Sequence, residues 1–216
     1  ALGHCVEADT IEERGSVLGD KVGKRIACEE LSVCDNPQLH EGSVFFYYDD
    51  EGILGQETFI IEKGVLRTLL HSLETASQPD VRPVGKTRVS SYSSRPVIRM
   101  TNTYILPGGE SFEEMVESVK KGIFLAKTFG GEMDTASGSF VFKSQEGQLI
   151  ERGEFTRRLK NVLVFGTLEE FLLNVKGIGR ELNISSGTCS KADQIITIGS
   201  GGPPLSLTEM KIGVSV

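Results

Sequence analysis

Two-residue turns between short β-rich runs constrain this chain more than any other feature in it. Residues 59–62 (Phe-Ile-Ile-Glu) and 65–70 are separated only by Lys63-Gly64. A loop that short closes an antiparallel hairpin only where the backbone enters positive φ, which glycine adopts without steric cost. The pattern recurs. Glu51-Gly52 through Ile61-Glu62-Lys63-Gly64 is echoed by Glu146-Gly147 through Ile150-Glu151-Arg152-Gly153, each time after an aromatic-rich run. Shared turn chemistry and a pseudo-symmetric curved sheet both account for the echo. Further strands are predicted at about residues 100–106, 138–143, 148–152, 162–165, 194–198 and 205–214, and residues 43–48 (Ser-Val-Phe-Phe-Tyr-Tyr) read as another. The 25 glycines fit so many turns.

Helices are fewer and well marked. Ser111-Phe112-Glu113-Glu114 is a capping box, and Phe112, Met115, Val116, Val119, Ile123 and Ala126 continue it as one apolar stripe that Gly130-Gly131 ends. Thr167-Leu168-Glu169-Glu170 repeats the box before residues 171–175. A third helix opens the chain. The expected fold is therefore α+β: a mostly antiparallel, strongly curved sheet with two or three packed helices, forming one domain over residues 1–216. The chain begins inside what reads as a helix with no start signal before it, so the domain is expected to belong to a longer protein.

The net charge of −7 argues against a nucleic-acid partner, because phosphate binding rests on surplus Lys and Arg. No apolar run approaches the ~20 residues of a membrane span, so no membrane association is expected. Cys5, Cys28, Cys34 and Cys189 are scattered without a Cys-x-x-Cys spacing, which suits a reducing cytoplasm better than a disulfide framework.

Several short motifs have bland explanations. Asp49-Asp50-Glu51-Gly52 lacks the alternating acids of a calcium loop and reads as a turn. Lys176-Gly177-Ile178-Gly179-Arg180 has the centre of a DNA-binding hairpin, but a helix end turning into the next segment explains it more simply. Residues 199–204 (Gly-Ser-Gly-Gly-Pro-Pro) lack the lysine and the following helix of a phosphate loop and also read as a turn. Residues 78–96, with three prolines and a serine cluster, read as a long surface loop able to act as a lid.

Two stretches carry candidate chemistry. At the start, His4 is followed by Glu7 at i+3 and Ile11 at i+7, which places two metal-competent side chains and an apolar residue on one helical face. Near the end, Cys189 sits in Ser-Gly-Thr-Cys-Ser-Lys, read as a loop, where Lys191 could favour its thiolate. A nucleophilic cysteine needs a histidine base, from His4, His40 or His71. A metal would instead take the thiolate directly, and a His-Cys pairing suits zinc. Spacing leaves both possibilities open.

Leu2-Gly3-His4-Cys5-Val6-Glu7-Ala8-Asp9, the Asp49-Asp50-Glu51-Gly52 turn, Ile61-Glu62-Lys63-Gly64, Arg99-Met100-Thr101-Asn102-Thr103, Gly130-Gly131 with Asp134 and Gly138, and Cys189 with Lys191 and Gln194 stand in an order that resembles the C-terminal domain of the TldD/PmbA metallopeptidase-like proteins over nearly the whole chain. The resemblance implies a cytoplasmic zinc peptidase that degrades unfolded or extended peptides and pairs with a related subunit as a homo- or hetero-oligomer. It also implies metal ligation by the two histidines of a His-Glu-x-x-x-His helix and by a late cysteine. His4 matches the second histidine and Cys189 the cysteine. The first histidine and the glutamate that serves as general base would precede Ala1. The chain by itself is thus expected to hold zinc weakly and to be inactive. Glu7 is the nearest replacement ligand, and a non-catalytic peptide-binding or partner subunit of the same family is the alternative. Histidines five residues apart lie about 140° apart around a helix, so a π-turn or a break is expected, with Gly3 a plausible place for it.

Overall fold

The computed structural model describes residues 2–77 and 80–214. In chain order these form α1 (Leu2–Cys5), α2 (Ala8–Arg14), β1 (Val33–Asp35), β2 (Thr58–Glu62), β3 (Val65–Leu66), β4 (Thr87–Arg88), β5 (Val97–Ile98), β6 (Asn102–Ile105), α3 (Phe112–Glu117), β7 (Lys121–Met133), β8 (Ser139–Glu151), β9 (Glu154–Thr167), α4 (Leu168–Asn174), β10 (Val175–Ile178), β11 (Asn183–Lys191), β12 (Gln194–Gly202), β13 (Leu205–Leu207) and β14 (Lys211–Val214). The α+β composition agrees with the sequence. The strongly curved sheet does not, because the strands are shared among four sheets that neither curl strongly nor close. Six strands run in the order β11-β12-β6-β1-β2-β3, four in the order β14-β9-β8-β7, and β10-β13 and β4-β5 form two-stranded pairs. Long β8 and β9 pair with each other and with β7 and β14, a self-contained set that leaves the six-stranded sheet separate.

The two echoed hairpins share a conformation and nothing larger. Lys63 and Gly64 have φ of 49° and 77°, and Arg152 and Gly153 have 56° and 80°. Both turns thus carry the paired positive φ whose twist matches the flanking strands. They lie in different sheets, so turn chemistry alone explains the echo. A third such turn, Ala192-Asp193 with φ of 50° and 57°, joins β11 to β12 without any glycine.

Sequence and structure part at several elements, each for a physical reason. The helix expected over 112–126 stops at Glu117, and residues 121–133 are strand. The continuous apolar run Ile123-Phe124-Leu125-Ala126 satisfies a period of two as well as one of 3.6, and Gly122 weakens the helical alternative. Residues 43–48 form no ladder. The start of the run is taken by a side chain, with Asn102 Oδ1 accepting from the Ser43 and Val44 amides and Nδ2 donating to the Val44 carbonyl, while the Phe46 amide donates to the Pro37 carbonyl. The single strand expected over 205–214 is split between two sheets. Residues 199–202, read as a turn, continue β12, and residues 175–178 after α4 are strand rather than a turning helix end.

The main core joins the opening stretch to the six-stranded sheet and α4, with Val6, Ile60, Leu66, Leu70, Ile98 and Leu172 all buried. Each side chain of this size contributes roughly 1.5–3 kcal/mol. At the centre of the sheet Asp35, fully buried, accepts from the Thr101 amide, from the Thr101 and Thr103 hydroxyls, and from Lys86 Nζ at 2.9 Å. Lys86 also donates to the Asp35 and Gln56 carbonyls. This buried pair locks β1 to β6 and to the start of β4.

The acidic turn is structural too. Asp49 accepts from the Glu51, Ile53 and Thr87 amides, Asp50 from the Val89 amide, and Glu51 from the Leu73 amide and the Thr87 hydroxyl. These acids hold the described part of the 78–96 loop in place. Residues 78 and 79 of that loop lie outside the described residues.

Candidate metal centre

The opening helix breaks where the chemistry begins. After α1, Val6 and Ala8 exchange backbone hydrogen bonds with Leu70, and Glu7 between them is extended, at φ −80° and ψ 116°. This break falls two residues after His4, and Gly3 lies inside α1. Gly3 answers a different demand, since a Cβ there would run into the Met100 thioether. His4 and Ile11 thus sit on separate helices and share no face, while Glu7 still reaches the imidazole.

His4 is held from both ring nitrogens. Nδ1 lies 2.7 Å from Glu7 Oε2, and Nε2 lies 2.7 Å from Cys189 Sγ. The two residues are 185 positions apart in sequence and meet because β11 lies across the start of the chain. Cys189, read from sequence as a loop residue, is inside that edge strand. The strand was hidden because the face opposite Cys189 is polar and exposed (Ser186, Thr188, Ser190) and its turn lacks glycine. His40 and His71 do not approach Cys189: His40 packs on Phe45, and His71 bonds Thr75.

Glu7 is fully buried and its oxygens are committed. Besides His4 they accept from the Met100 amide, the Thr10 hydroxyl and Lys191 Nζ at 2.8 Å. Lys191 also pairs with Asp9 at 2.6 Å and donates to the Ile98 carbonyl. Lys191 therefore serves the acids behind His4 rather than Cys189, and Glu7 faces the imidazole from its far side rather than standing as a further donor beside Cys189. Among the described residues no group of three or more His, Cys, Asp and Glu side chains is arranged to hold a metal.

The electrostatics follow from these contacts. The bonds to Cys189 and Glu7 raise His4 to about 9, against an opposing effect of burial. Burial also opposes ionisation of Glu7, but His4 and Lys191 outweigh it and hold the carboxyl below its ordinary range. Cys189 is likewise penalised by burial, yet His4 and the Arg99 guanidinium bring its thiol below the usual value. A carboxylate on Nδ1 fixes a histidine's orientation and leaves Nε2, once it has given up its proton, as the ligand atom, as in carboxylate–histidine–metal arrangements. The donor chemistry of His4 and Cys189 thus fits zinc. Glu7→Gln in the full-length protein is expected to weaken zinc binding about 10–100-fold, measured by competition with a chromogenic chelator. Unchanged affinity would remove Glu7 from this role.

Sequence reasoning identified His4, Cys189, Glu7 and Lys191 but did not single out the part played by residues 98–100. There the Ile98 amide bonds Asp9, Arg99 bonds the Cys189 and Gln194 carbonyls, and the Met100 amide bonds Glu7. The contiguous Arg99-Met100-Thr101 string was the available signal. Nothing local says that its backbone and side chains alternate between two distant segments.

The profile of the PmbA/TldA metallopeptidase C-terminal domain matches residues 1–214. A metalloprotease of Methanocaldococcus jannaschii is 41% identical over 202 residues, covering 94% of this chain and 45% of that protein. A zinc metalloprotease TldD homolog of Saccharolobus solfataricus is 36% identical over 214 residues, covering 99% and 48%. The chain thus spans about half the length of the curated relatives it matches. Among solved structures, TldE from Thermococcus kodakarensis superposes with a TM-score of 0.81 at 20% identity, over 96% of this chain and 45% of that one, a likeness of fold alone. With a family profile covering nearly every residue, the chain belongs to the PmbA/TldA metallopeptidase family, in its C-terminal domain.

Proposed function

We propose that this domain supplies part of the active site of a zinc peptidase that cleaves unfolded or extended peptides. The observation that carries the reading is the convergence of His4 Nε2 and Cys189 Sγ at 2.7 Å, with the other imidazole nitrogen already engaged by buried Glu7. His4 and Cys189 would be the two ligands from this chain. Zinc, when bound, supplies Lewis-acid polarisation of water and of the scissile carbonyl. Glu7 and Lys191 keep the imidazole oriented, and Arg99 fixes the strand that carries the thiolate. The remaining ligand and the general base would come from the family's His-Glu pair on the N-terminal side of Ala1.

Extended peptide fits the site's surroundings. Strand β11 is an edge of the six-stranded sheet and bears Cys189 near its end. An edge strand offers unpaired backbone groups to a peptide, and such pairing reads few side chains. The loop around residues 90–95 borders this region through Gln194, which accepts from the Ser90 amide and donates to the Arg95 carbonyl. We assign that loop to covering the groove. Pairing with a related subunit in the cytoplasm belongs to the same proposal. Among the described residues no helix is long and apolar enough to cross a membrane.

A chelation experiment tests the reading. The full-length protein, with its partner subunit where one is required, is expected to cleave an unfolded polypeptide, to stop on removal of metal and to recover with zinc. Cleavage insensitive to chelation but blocked by thiol alkylation would replace the metal reading with a cysteine–histidine nucleophile. Absence of both cleavage and bound zinc would favour a non-catalytic peptide-binding or partner subunit, a reading that fits the absence, among the described residues, of a group of three or more donors.

A further inference from the structure

Arg99 is fully buried, and among the described residues it has no carboxylate partner. The other fully buried cation, Lys86, has Asp35. A guanidinium removed from water needs compensation by hydrogen bonds or by an anion. Arg99 has part of the first: Nη2 donates to the carbonyl of Cys189 and Nη1 to that of Gln194 at 3.4 Å, and Nε has no partner. Its two carbonyl acceptors lie on opposite sides of the Ala192-Asp193 turn, so one planar fork spans the β11-β12 hairpin at the residue that bears the thiol. A second arginine, Arg88, adds positive charge nearby, bonded to the Thr197 carbonyl.

We propose that Arg99 is a positioning residue for Cys189 as a metal ligand: its fork fixes the backbone from which the sulfur projects. Lysine could carry the charge but not the two-pronged geometry. The cation draws electron density from the sulfur, so a metal held by Cys189 is left a stronger Lewis acid than a bare thiolate would leave it. This rests on the assignment of His4 and Cys189 as ligands.

The test uses the full-length protein loaded with zinc for affinity and with cobalt for the thiolate-to-cobalt charge-transfer band, in wild type, Arg99→Met and Arg99→Lys, with cooperative thermal unfolding as the check on folding. Arg99→Met is expected to bind zinc at least about tenfold more weakly, in the range seen for outer-shell changes, and to move the band to lower energy. Arg99→Lys is expected to lose roughly threefold or more in affinity, on the lower side of that range, while keeping the band where it is in wild type, since the charge remains. A purely structural arginine would not move the band. Wild-type zinc affinity in either folded variant overturns the proposal, as does failure of both variants to fold, which would make Arg99 a residue of the fold at large. Absence of the band in wild type would instead overturn the ligand assignment itself, so the two failures are distinguishable.

Discussion

Replacing Cys189 with alanine in the full-length protein is expected to reduce bound zinc from near one equivalent per chain to background, with the fold intact. Cys189 is a strand residue near the end of β11, and its neighbours along the ladder keep their backbone partners in β12 whatever the side chain is. Loss of one protein ligand from a zinc site leaves too few donors to compete with water at ordinary metal concentrations. His4→Ala should give the same loss. It should also take the imidazole partner from buried Glu7, so its melting temperature should fall more than that of Cys189→Ala. Equal zinc in wild type and Cys189→Ala, measured by elemental analysis after dialysis, would end the assignment of Cys189.

The largest expected effect on stability lies away from the centre, at Asp35. Its side chain accepts three hydrogen bonds from Thr101 and Thr103 and pairs with Lys86, and all of these groups except Thr103 are buried. Asp35→Ala leaves the Lys86 ammonium buried beside carbonyls alone, and breaking a buried pair in this way costs about 3–5 kcal/mol. Replacing both partners with apolar residues of similar volume should cost less than the single change. Urea unfolding of the full-length protein measures both, and an Asp35→Ala loss below about 1 kcal/mol would show the pair to be dispensable.

Asp35 also fixes a sign for pH dependence. Burial opposes its ionisation, but Lys86, Thr101 and Thr103 outweigh burial and bring the carboxyl below its ordinary value of 3.8. The carboxylate's contribution is then fully present above the unfolded-state value and lost as pH falls toward the folded one. The stability gap between wild type and Asp35→Asn should therefore be constant near neutrality and narrow below about pH 3.8.

Much of this architecture is written locally. The turns at Lys63-Gly64 and Arg152-Gly153 follow from paired positive φ. The starts of α3 and α4 follow from capping boxes in which Ser111 and Thr167 accept from the amides of Glu114 and Glu170. His4 and Cys189 were legible as metal-competent residues, and the family resemblance linked them. Hydrogen-bond geometry at caps and turns involves residues a few positions apart, so composition and spacing determine it.

What tertiary structure alone decided depends on partners far apart in sequence. The run Ile123-Phe124-Leu125-Ala126 is apolar enough for a helix or a strand, and pairing with β8 chose the strand. Residues 43–48 had strand composition, and the side chain of Asn102 took the Ser43 and Val44 amides and the Pro37 carbonyl that of Phe46 instead. Glu7 was a candidate ligand until Leu70 broke the helix and turned its carboxylate onto the far side of His4. Lys191 stood two residues from Cys189 and was drawn to Glu7 and Asp9, while Arg99, 90 positions away, reached the cysteine. Local pattern fixes which groups a chain carries and how each short segment bends. Which charges face one another is settled only on burial, when every ion and amide removed from water must find its partner.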